Sequence, residues 1–85
     1  MQKNKSMNAE IIDTFLSLWE RAIELSNPNN RDAMEAERTR VWSGDNQTAK
    51  TAKATLVWIA RTADKSTDAG RELAAAAKNL RHRIG

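Results

Sequence analysis

Few side chains in this sequence suit bond-making chemistry. His82 is the single residue whose ordinary pKa lies near neutrality, and it sits near the C-terminal end. Glu20 and Glu24 are one helical turn apart, but the wheel places them opposite the apolar line of their segment, where solvation accounts for them. No nucleophile elbow, phosphate-binding glycine loop, HExxH or Glu-x-x-His pair occurs. One histidine without any cysteine makes a poor zinc donor set, so neither metal nor other cofactor is expected, and no enzymatic activity.

Binding chemistry is better represented. Trp58 has Lys50, Thr51, Ala54, Arg61 and Thr62 on its side of the wheel, about 160° from the apolar residue Leu56. An indole among small and cationic side chains is the composition of a protein-binding anchor, or of a platform on which an unpaired base stacks. The plainer reading is that this segment is central and buried all round from Leu56 to Ala60. Trp19 lies in the middle of an apolar stripe and is assigned to the core. Trp42 stands beside Ser43-Gly44, where it either closes the edge of the core or meets another chain.

Cations gather late in the chain. Residues 1–42 hold six basic and seven acidic side chains; residues 43–85 hold eight and four. Lys50, Lys53, Arg61, Arg71, Lys78, Arg81 and Arg83 are the candidate electrostatic contacts, for an acidic protein surface or for the phosphates of a nucleic acid. At the C-terminal end of a helix, cations also compensate the backbone dipole. The net charge of +3 argues against a mimic of DNA.

These side chains must be carried by helices. The first is expected from Met7 to Ser26, with Ile11, Phe15, Trp19 and Ala22 on one line, ended by Asn27-Pro28-Asn29-Asn30. A second runs from Arg31 to Trp42 behind an Asn29 or Asn30 cap, with a narrow stripe of Met34, Val41 and Trp42. Gly44 suits a left-handed turn, and Asp45 is the expected cap of a third helix, Asn46 to Ala63. Ser66 or Thr67 caps a fourth, reaching Arg83, with Ala69, Leu73, Ala76, Ala77, Leu80 and Ile84 on its face. Ala74 and Ala75 point aside from that face.

Residues from Ile59 to Leu73 superficially fit a helix-turn-helix. Asp64 stands where that motif has its turn glycine, however, and Gly70 where a branched apolar side chain pins the second helix.

The fold class that follows is all-α: a small bundle of four helices with short connections, residues 7–85, behind a flexible tail of residues 1–6. Leu, Ile, Val and Phe total 14 of the 85 residues, too few for a β-sandwich and thin for a self-sufficient core. No apolar run exceeds five residues, so no membrane span or signal-peptide core is expected, and a soluble cytoplasmic protein is. The thin core and surplus tryptophan point to a small regulatory or inhibitory protein that binds a protein partner, with nucleic-acid binding and a structural subunit as alternatives. A homo-oligomer is a further expectation.

Overall fold

The computed structural model describes residues 7–26 and 28–84. They form α1 (Ala9–Glu24), α2 (Arg31–Val41), α3 (Ala49–Thr62) and α4 (Asp68–Ile84), with single 3₁₀ turns at Pro28–Asn30 and Gly44–Asn46. The expected all-α bundle of four helices is observed. The expected tail (residues 1–6) and the Asn27 stop lie outside the described residues.

α1, α3 and α4 each start where a side chain satisfies an amide that the helix leaves free, whereas Asn30, an expected cap of α2, makes no side-chain cap hydrogen bond. Asn8 has an extended backbone, and its Oδ1 accepts from the Ile11 N–H at 2.8 Å. Thr48 does the same for α3, its Oγ1 accepting from the Thr51 N–H at 3.2 Å. This corrects the expectation for Asp45, which lies instead within the 3₁₀ turn. Gly44 adopts φ +54° and reverses the chain after α2, and three more residues pass before the backbone is extended again at Thr48.

The connection between α3 and α4 is a built turn. Asp64 Oδ1 accepts from both the amide (3.0 Å) and the hydroxyl (2.5 Å) of Ser66. Thr67 Oγ1 donates to the Asp64 carbonyl at 3.1 Å and accepts from the Gly70 N–H at 3.0 Å, so Thr67 caps α4. Gly70 packs against the Asp64 backbone. That contact, rather than a recognition-helix register, accounts for glycine at this position.

α1, α3 and α4 make the core. Ile11, Phe15, Trp19 and Ile23 of α1 meet Ala52, Leu56 and Ile59 of α3 and Leu73, Ala77, Leu80 and Ile84 of α4. Ala74 is buried and Ala76 only half-buried, the reverse of the sequence expectation. The buried stripe of α4 is rotated toward the flank on which α3 packs, and the small Ala74 fits that close approach.

α2 buries no residue and lies on the outside of α1. Met34 and Val41 pack against the core, and the Arg31 guanidinium donates to the Glu24 carbonyl of α1 at 3.1 Å. The Trp42 ring meets Phe15 edge-on, with centroids 4.9 Å apart. Arg38 forms ion pairs with Glu20 of α1 and Glu35 of its own helix. Glu20 therefore ties two helices together, a role its place on the solvent side of α1 did not reveal.

Candidate functional site

The arrangement of α2 creates the main concavity. Its stripe is only Met34 and Val41, and both lean toward α1, so it does not close onto α3. The facing residues of α3 are small: Thr51, Ala54 and Thr55. The result is a trough of about 870 Å³ between α2 and α3, with Trp19, Met34 and Val41 along one side. A second hollow of about 490 Å³ continues toward the α3–α4 turn, where Ala22, Leu25, Thr62 and Ala69 line it. Met34 and Trp58 line both, so the Trp58 indole stands where the two join.

Trp58 is 44% exposed, and its neighbour Val57 is 37% exposed. The expectation that α3 is buried all round from Leu56 to Ala60 is thereby corrected. α3 packs on α1 and α4 through one face, and among the described residues the face that carries Trp58 stays partly open. Leu25, at the far end of the second hollow, is also exposed. Thr55 is a polar residue buried beneath the trough, and its hydroxyl donates to the Thr51 carbonyl at 2.9 Å, so it offers the trough no free donor.

The charged rim is uneven. Lys50 lines the trough near the start of α3, and Arg61 lies one turn beyond Trp58. Neither side chain forms an ion pair among the described residues. On the α2 side, Glu37 reaches the trough but is paired with Arg40, whose guanidinium this contact holds above its ordinary pKa.

The remaining candidate residues separate into groups. Trp42 is half-buried on Phe15 and belongs to the core edge, the first of its two readings. Arg71 pairs with Asp68 and donates to the Lys65 carbonyl at 2.9 Å, bracing the turn before α4. Lys53 and Arg81 are half-buried, while Lys78, His82 and Arg83 are exposed.

α1 packs along one flank of the α3–α4 pair, and its Ala22 and Leu25 line the second hollow together with Ile59, Ala63, Ala69 and Leu73. At 100° per residue, Lys53, Val57 and Arg61 of α3 fall on the opposite flank, and so do Arg71, Ala74, Lys78 and Arg81 of α4. Lys50 stands between this flank and the trough. Arg83 points away from it. Five of the seven candidate cations, Lys53, Arg61, Arg71, Lys78 and Arg81, thus fall on one flank of the α3–α4 pair, with Lys50 at its border with the Trp58 trough.

Met34, Val41 and Leu25 were absent from the sequence-derived site. The narrow apolar stripe of α2 was the available signal, since a helix with so little to bury must leave part of its neighbour uncovered.

Among the described residues, no His, Asp or Glu side chains cluster as metal ligands, and no helix is long and apolar enough to cross a membrane. No protein-family model, curated protein or solved structure matches this chain.

Proposed function

We propose that this chain is a non-enzymatic binding protein that regulates or inhibits a partner protein by seating an apolar ridge of that partner in the α2–α3 trough. The observation that carries the reading is the exposed Trp58 at the junction of two apolar hollows. A large aromatic ring in a concave, mostly apolar setting is the composition of an interface anchor. An amphipathic helix is the segment whose shape suits a groove between two helices. Its polar edge is acidic, because Lys50 and Arg61 flank the indole along α3 without ion-pair partners. Trp42, engaged on Phe15, takes no part. His82 is exposed near the end of α4 and lines neither hollow, which supports a binding protein over an enzyme.

The test compares the native chain with Trp58→Ala as baits in extract of the native host, with mass spectrometry of what each retains. The expected result is a protein held by the native bait and lost from the variant while far-UV circular dichroism is unchanged. Purified, that protein binds Trp58→Ala at least tenfold more weakly and Lys50→Glu more weakly still at low salt. Equal retention by both baits, or binding that resists both substitutions, overturns the reading.

A further inference from the structure

The flank of the α3–α4 pair opposite α1 carries a second surface. α3 has no carboxylate along its whole length, and α4 has none after Glu72. Antiparallel packing sets the start of α3 beside the end of α4, so Lys50 and Lys53 lie level with Lys78 and Arg81, and Arg61 level with Arg71. Arg71 pairs with Asp68, while Lys50, Arg61, Lys78 and Arg81 form no ion pair among the described residues. Lys53 and Arg81 are half-buried, whereas Lys50, Arg61, Arg71 and Lys78 are exposed. The apolar content is small: Val57 is exposed, and Ala74 is buried.

We infer that this flank binds the sugar–phosphate backbone of a nucleic acid, without reading its sequence. Lys50 to Arg61 spans about 16 Å of helix, which corresponds to roughly five phosphates of one strand. An elongated row of cations whose one carboxylate is Asp68, at its Arg71 end, matches a linear polyanion. An acidic protein docking at the same affinity would need apolar contact that the flank lacks. The side chains present donate to phosphate oxygens but meet no base edge, so affinity comes from counterion release. The trough lies on another side of α3, and this inference does not depend on what fills it.

The test is fluorescence anisotropy of a labelled 20-nucleotide duplex and the matching single strand, titrated with the full chain from 50 to 200 mM salt. The expected duplex affinity falls by roughly a hundredfold or more over that range, with a log–log slope between about −3 and −5. Lys53→Gln/Lys78→Gln/Arg81→Gln flattens the slope by about 2 to 3. Arg61→Gln/Lys78→Gln, confined to fully exposed side chains, flattens it by about 2 and serves if the first variant fails to fold. Trp58→Ala and Arg21→Gln leave the titration unchanged. Absence of binding at 50 mM salt, a slope shallower than about −1, or undiminished binding by the folded Gln variants overturns the inference. So does polyglutamate that displaces the duplex as well as unlabelled duplex of equal charge does, which would assign the flank to acidic proteins.

Discussion

A side-chain carbon on residue 70 would lie 1.8 Å from the carbonyl oxygen of Asp64, well inside contact distance. Gly70 is therefore what lets the first turn of α4 fold back over the end of α3, and this close approach sets the angle between the two helices.

Gly70→Ala is expected to destabilise the protein by about 1 to 3 kcal/mol, as overpacking does. In an unobstructed helix the same substitution would stabilise it by about 1 kcal/mol. Urea unfolding followed by circular dichroism at 222 nm distinguishes the two signs. A stabilised variant would mean that the turn yields easily.

The tryptophans differ sharply in what they support. Trp19 is 4% exposed, and Trp19→Ala is expected to cost about 3 to 5 kcal/mol, enough to unfold most of a domain this small. Trp58→Ala is expected to cost about 1 kcal/mol or less, in keeping with its open face. With Trp19 and Trp42 each replaced by Phe, the remaining indole of the folded protein should emit at long wavelength and be quenched readily by acrylamide.

α2 is tied to α1 by the Trp42–Phe15 ring pair, the Arg38–Glu20 ion pair and the Arg31 hydrogen bond to the Glu24 carbonyl. Arg38→Ala is expected to lower global stability by only about 0.5 to 1 kcal/mol, because both partners are partly solvated. Its larger effect is local. Amide hydrogen exchange should quicken across Arg31–Val41 and change little in α3 and α4.

Ser66 holds the Asp64 carboxyl below its usual range by hydrogen bonds from its hydroxyl and its amide. A carboxylate with a lowered folded-state pKa contributes stability above its unfolded-state value, and loses it as pH falls through the lowered value. The Asp64 carboxyl, followed by NMR, should therefore titrate below a free Asp side chain. Ser66→Ala should move that midpoint upward. An Asp64 midpoint unchanged in Ser66→Ala would show that the turn's hydrogen bonds do not persist in solution.

Much of this architecture is legible in the residues. The i, i+4 line Ile11, Phe15, Trp19 and buried Ile23 specify the inward face of α1, because a 3.6-residue period leaves only one way to bury them together. Ser66 or Thr67 was the expected cap of α4, and Thr67 is the one whose hydroxyl accepts from the amide three residues on. The lateness of the cations was equally plain. Local rules misplaced the cap of α3, where Asp45 and Thr48 are both good candidates and Gly44 decides between them by turning the chain.

What the sequence by itself determined is the set of helices and the face that each must hide, because those follow from periodicity and capping within a few residues. The tertiary structure alone decided which faces stay open. Trp58 is exposed because α2 spends its narrow stripe and its Arg38 on α1. Lys53, Arg61, Lys78 and Arg81 share one flank because α3 and α4 pack antiparallel with α1 on the other side. Contacts between residues distant in the chain set both outcomes, and no local pattern encodes them.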